Sequence, residues 1–120
     1  MRRLALLINS SYALLLVVLA LAPRLPAVSG LGVSDFMAHA TAYGVQAGLL
    51  FWLFELFPSG SAALRAMSGA SGFGVLTEIL QLLSPIRHFE FVDMAADILG
   101  ALIVVFLLFG LRSLQKVRTA

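Results

Sequence analysis

The chain has no cysteine, and only 12% of its 120 residues are charged. The first absence excludes disulfides, thiolate nucleophiles and thiolate-ligated metals, and it leaves the redox compartment unreadable. The second argues against an ordinary soluble domain, in which about a quarter of the residues carry charge. There is no internal repeat and no low-complexity tract. The formal charge of +2 and pI near 9.7 do not indicate nucleic acid. Most of the basic residues, Arg2, Arg3, Arg65, Arg112, Lys116 and Arg118, sit at the ends of apolar runs, as topology signals do.

What is present is apolar length. Hydrophobic residues make up 61% of the chain, and the mean hydropathy is +1.02. Four runs, 4–22, 36–57, 62–83 and 94–111, each approach the ~20 residues that cross a bilayer. They predict one all-α membrane domain over residues 1–120 with four transmembrane helices and the lipid bilayer as its partner. The opening MRRLALLINSSYALLLVVLALAPRLPA is too long in its apolar part for the ~7–15 residues of a signal core. Leu25 also stands where cleavage after Ala27 would want a small residue, so an uncleaved anchor is expected.

Pro23, Pro26, Ser29, Gly30 and Gly32 mark a loop after the first run, and Ser34 or Asp35 is placed to cap the second helix. A tight turn is expected at Pro58–Ala63. Ser84-Pro85 ends the third helix, and Asp93 is expected near the start of the fourth. With the N-terminus cytoplasmic, Arg2, Arg3, Arg65, Arg112, Lys116 and Arg118 lie inside, and Arg24 and Arg87 outside. That split favours an N-in/C-in arrangement.

This sidedness gathers the polar residues at the outer face. Asp35, His39 and Tyr43 follow at four-residue steps on one face of the second helix, with Gln46 close by. Glu78 and Gln81 close the third helix, and Asp93 and Asp97 open the fourth. His39, Glu78 and Asp97 would lie about 6–8 Å inside their helix ends. A carboxylate facing lipid costs about 2.5–3.5 kcal/mol even on the lenient insertion scale, so the three polar stripes should turn toward one another. The small residues of Ser68–Gly74, and Ala96 with Gly100, would allow the helices to approach closely.

Such a cluster admits several chemistries. Like charges among Glu78, Asp93 and Asp97 beside His39 could supply a general acid and a general base, which makes these four the catalytic candidates. The same groups could instead hold a divalent cation, although the sequence requires no cofactor. Arg87 at the mouth suits a phosphate or carboxylate. The plainer alternatives are that Arg87 neutralises Glu78 or Asp93, that Asp93 is a helix cap, and that His39 is an interhelical hydrogen-bonder. Glu55 is expected to pair with Arg65 or face water, His88 and Glu90 to be solvated, and Phe51, Trp52 and Phe54 to form an aromatic band facing lipid or its interface. Ser84 is more simply a helix end than a nucleophile.

The stretches SDFMAHATAY and TEILQLLSPIRHFEFVDMAADILG resemble the two signatures of the VanZ-like family of bacterial membrane proteins. The matching residues are Asp35, His39, Tyr43, Glu78, Gln81, Arg87, Asp93, Asp97 and Gly100, within about 34–105. Asp97 departs from the pattern, since many members have asparagine there. The resemblance implies a multi-pass protein of the bacterial cytoplasmic membrane in a family associated with low-level resistance to the glycopeptide teicoplanin. It implies no defined reaction. Two functions follow as expectations. One is an outer-face pocket lined by Asp35, His39, Tyr43, Glu78, Gln81, Arg87, Asp93 and Asp97 that engages an anionic lipid or lipid-linked cell-wall precursor. The other is a small transferase or hydrolase acting on a lipid-linked envelope intermediate. Transport is disfavoured, because the inner half offers no polar path apart from Glu55.

Overall fold

A computed structural model of the chain describes residues 1–23, 34–57 and 59–120. Arg24 and the loop positions Pro26, Ser29, Gly30, Gly32 and Pro58 lie outside the described residues. Among the described residues there are four α-helices and no strand, as the apolar runs predict: α1 Arg2–Leu21, α2 Asp35–Glu55, α3 Ala62–Gln81 and α4 Phe91–Thr119. Two of the four, α1 and α4, are long and apolar enough to cross a membrane, with mean hydropathies of 2.3 and 2.5. The fourth helix outruns its apolar stretch. Its 29 residues continue through the basic tail to Thr119 and extend it to about 44 Å.

Local chemistry sets the helix ends. The Ser34 hydroxyl accepts the Met37 N–H at 3.2 Å, and the Ser61 hydroxyl accepts the Leu64 N–H at 3.2 Å. Each cap is worth about 1 kcal/mol. Gly60, at φ +67°, makes the left-handed bend between α2 and α3. Arg65 then reaches back and donates to the carbonyls of Phe54 and Phe57 at 3.1 and 3.0 Å, supplying positive charge at the carbonyl end of α2. Its guanidinium is thus committed to backbone, and Glu55 pairs with Arg112 instead of with Arg65. Asp93 is not the cap of α4 either. Glu90 holds that position, and Asp93 is buried in the first turn.

Helices α2, α3 and α4 pack on one another along their lengths, and α1 leans on α2 and α3. At one end, Ala47, Phe51, Ala66, Ala70, Ala101 and Val105 form an apolar core. Phe51 therefore faces inward, apart from the expected aromatic band, while Trp52 and Phe54 are half-buried. At that same end Arg2 donates to the Leu56 carbonyl at 3.0 Å, and Arg65 and the Glu55–Arg112 pair lie close by. Side chain–backbone hydrogen bonds fasten α1 elsewhere: Asn9 to the Leu49 carbonyl (3.1 Å), Tyr12 to Ala42 (2.9 Å), and Gln81 of α3 to Ala20 (3.2 Å).

Polar side chains share the interior with the apolar core, and many large apolar ones face outward. The largest fully buried side chains are Gln81, Glu78, Thr77 and Asp97, whereas Leu7, Leu14, Leu64, Leu83, Phe106 and Leu107 are exposed. Water-soluble proteins rarely bury acids or expose contiguous apolar faces of this extent.

Candidate functional site

The end of the trio opposite Arg65 and Arg112 is polar. Each helix brings its polar residues inward at helical spacing: His39 and Tyr43 from α2, Thr77, Glu78 and Gln81 from α3, Asp93 and Asp97 from α4. Two glycines let the side chains meet. A Cβ on Gly74 would stand 2.7 Å from the Asp97 Cβ and 2.9 Å from Oδ2, so the Asp97 side chain lies directly on the α3 backbone. A Cβ on Gly100 would overlap the Ala40 carbonyl oxygen, so α2 and α4 touch backbone to backbone one turn beyond Asp97. The close approach that the small residue Gly100 was expected to allow is thus a contact with the Ala40 backbone.

His39 stands at the centre. Its Nδ1 is 2.8 Å from Asp97 Oδ1 and 3.9 Å from Glu78 Oε1, and its Nε2 is 3.4 Å from Asp93 Oδ2. Glu78 and Asp97 are fully buried, while the histidine side chain keeps 17% exposure. The backbone N–H of Glu90 donates to Glu78 Oε2 at 3.3 Å, so the loop before α4 folds over the acids. Glu90 is accordingly half-buried and not the solvated loop residue that its sequence suggests, whereas His88 is exposed. Glu78 Oε1 and Asp97 Oδ2 are buried without a hydrogen-bond partner among the described residues.

Tyr43 extends the cluster inward. Its ring stacks on His39 with centroids 6.4 Å apart, and its hydroxyl meets Thr77 Oγ1. Thr77 itself donates to the Gly74 carbonyl at 2.9 Å, so in this pair Tyr43 is the donor and Thr77 the acceptor. Gln46 is buried deeper on α2, with its Oε1 unpartnered.

Beside the cluster opens a cavity of about 170 Å³ between α1, α2 and α3. Leu16, Leu19, Ala20, Ala38 and Ala42 form its apolar wall, and His39, Tyr43, Thr77, Gln81 and Arg87 its polar part. Arg87 comes from the loop after α3 and is half-buried. Among the described residues it forms no ion pair, so neutralisation of Glu78 or Asp93 by Arg87 is not the arrangement found.

Of the eight sequence-predicted site residues, His39, Glu78, Asp93 and Asp97 form one group, and Tyr43, Gln81 and Arg87 join His39 around the cavity. Asp35 is exposed at the start of α2 and is not among the residues of either set. Thr77, Asn9 and Tyr12 are structural partners that the sequence did not single out, whereas Gly74 ends the small-residue stretch expected to allow close approach; a weak signal was present in the spacing of Asn9 and Tyr12 on one face of an apolar helix. The hydroxyl of Ser84 has no base hydrogen-bonded to it among the described residues, which leaves it as part of a helix end. Chemically, His39 with Glu78 and Asp97 can exchange protons or ligate a cation, and the Arg87 cavity can receive an anion with an apolar appendage. No family model, curated protein or solved structure matches the chain.

Proposed function

We propose that the chain is a four-span, VanZ-like protein of the bacterial cytoplasmic membrane, N-in and C-in, whose outer-face cleft binds an anionic lipid or lipid-linked cell-wall precursor. The observation that carries this reading is the cavity beside Arg87, with one apolar wall and one polar wall. An arginine with no partner among the described residues offers a planar fork to a phosphate or carboxylate. The leucines and alanines of α1 and α2 suit the attached hydrocarbon.

Several features support the four spans and their direction. Buried acids with exposed leucines are what lipid as solvent favours. Helices α2 and α3 carry the polar groups that lower their hydropathy, and they turn these groups inward. Arg2, Arg65 and Arg112 collect at one end, as cytoplasmic charge does. Glu78 lies about 20 Å along α3 from Arg65, which sets the acidic cluster toward the far side of a ~30 Å hydrocarbon core.

The cleft is smaller than the ~300–1,000 Å³ typical of drug-sized ligands. It suits a headgroup and the start of a chain, not a whole glycopeptide. Lowered teicoplanin binding would therefore act through outer-leaflet lipid or precursor and not by capture of the drug. The second reading, a small membrane transferase or hydrolase, rests on the contact of His39 with Glu78 and Asp97 beside that cleft. In it Glu78 is the general base and Arg87 the anion clamp.

Mass spectrometry of envelope lipids and lipid-linked precursors tests both. Cells making the intact protein, Glu78→Gln, Arg87→Gln at equal abundance, or none are compared, with labelled teicoplanin binding measured in parallel. The binding reading expects drug binding to fall with the intact protein and to be restored by Arg87→Gln, with no new lipid species. A species that appears or vanishes only with an intact Glu78 establishes the enzyme. Identical drug binding in all four strains removes the link to teicoplanin.

A further inference from the structure

We propose that His39, Glu78 and Asp97 form a site for one first-row divalent cation, Zn²⁺ or Mn²⁺. One potential ligand atom from each residue lies within 4.8 Å of the other two. Ligands on a tetrahedral Zn²⁺ at about 2.0–2.2 Å stand roughly 3.3–3.6 Å apart. Closure therefore asks for movements of about 1 Å, within the reach of side-chain torsions.

Proximity alone would not distinguish a metal site from an acidic cluster. The deciding observation is that Glu78 Oε1 and Asp97 Oδ2 belong to fully buried side chains and have no hydrogen-bond partner among the described residues. A buried, unsatisfied carboxylate oxygen costs at least ~1–3 kcal/mol, more when charged. A cation ligated by these carboxylates would remove that cost.

The surroundings are those of a ligand set. His39 presents Nδ1 to Glu78 and Asp97 while Nε2 faces the Asp93 carboxylate at 3.4 Å. An imidazole that ligates through one nitrogen and meets a carboxylate with the other is the usual outer-shell arrangement of metal-bound histidine. The Glu90 N–H holds Glu78 Oε2, which leaves Oε1 directed toward His39. Charge also balances: a dication with two carboxylates and a neutral imidazole is uncharged overall, which suits a buried site. The imidazole nitrogen disfavours Mg²⁺ and Ca²⁺, and the absence of thiolate disfavours Cu⁺. The adjoining cavity, with His39 in its wall, gives the ion an entry path.

The test uses full-length protein in detergent, carrying an affinity tag without histidine, stripped with EDTA and titrated with ZnCl₂ or MnCl₂. Bound metal is counted by mass spectrometry after desalting. One equivalent of Zn²⁺ or Mn²⁺ is expected, retained in His88→Gln. In Glu78→Gln and Asp97→Asn the affinity should fall by more than the ~10–100-fold that loss of an outer-shell partner costs. Substoichiometric metal in the unaltered protein overturns the proposal, as does binding in both variants that equals that of the unaltered protein. If neither variant can be purified, Co²⁺ absorption of the unaltered protein decides. An intensified visible band supports the site, and the spectrum of the aqueous ion refutes it. The measurement needs no lipid ligand, so its failure leaves the reading of the Arg87 cleft standing, and the reverse holds as well.

Discussion

At one end of the α2–α3–α4 trio the space between helices is filled by Ala47, Phe51, Ala66, Ala70, Ala101 and Val105. At the other end the same three helices are joined by Tyr43, Thr77, Glu78, Asp93 and Asp97 around His39. Both ends depend on small residues that bring backbones together, so close approach by itself does not explain the difference. The apolar end is secured by dispersion, which tolerates changes of shape in small increments. The polar end depends on partners at fixed atoms, and two of its carboxylate oxygens still lack one. Function is expected where buried carboxylates lack partners, and among the described residues those carboxylates lie at the polar end.

The comparison breaks most sharply at Gly100. Gly100→Leu drives a side chain into the Ala40 backbone and should cost about 3 kcal/mol or more in unfolding from mixed detergent micelles. Gly72→Leu, where nothing lies within 4 Å, should change stability by less than about 0.5 kcal/mol. If the two behave alike, the close contact of α2 with α4 is not what holds the trio.

Next in size, Phe51→Ala should destabilise the apolar end by about 2 kcal/mol. Lipid tails are as apolar as phenylalanine, so the cavity contribution of about 24 cal/mol per Å³ dominates. In EDTA, Asp97→Asn at the polar end should cost less than Phe51→Ala, because Glu78 and Asp93 still face His39 and the amide oxygen keeps an acceptor opposite its Nδ1. Unfolding of both variants under the same conditions checks the contrast, and equal losses would contradict it. A smaller loss than at Phe51 is expected for Thr77→Val, which removes the acceptor for Tyr43. A loss of about 0.6–1.7 kcal/mol follows from buried hydrogen bonds measured between membrane helices.

Much of the fold could be read from the chain, because four apolar runs leave little freedom in where helices lie. The acids could be read for the same reason, since Glu78 and Asp97 stand out where nearly every neighbour is apolar. Partnerships across helices were harder to read. Thr77 is an ordinary residue until the rotation of α2 sets the Tyr43 hydroxyl opposite it. Gly74 matters only because α4 lays Asp97 against it. Glu55 has Arg65 nearer in sequence, but the bend at Gly60 turns that guanidinium onto carbonyls and leaves Glu55 to Arg112. Each of these depends on relative helix rotation, which hydrophobic pattern specifies only to within a broad face.

The contact of Gly100 with Ala40 also limits how the protein can move. With no side chain between the two backbones there is nothing to compress, so the contact works as a fulcrum. His39 and Asp97 sit within about one turn of it along their helices. Over that ~5.4 Å lever, a 10° rocking of α4 on α2 displaces the pair by only about 1 Å. The far ends of the helices, several turns away, would swing through several times that distance, so the His39–Asp97 pair is the part of the α2–α4 seam that such a motion disturbs least.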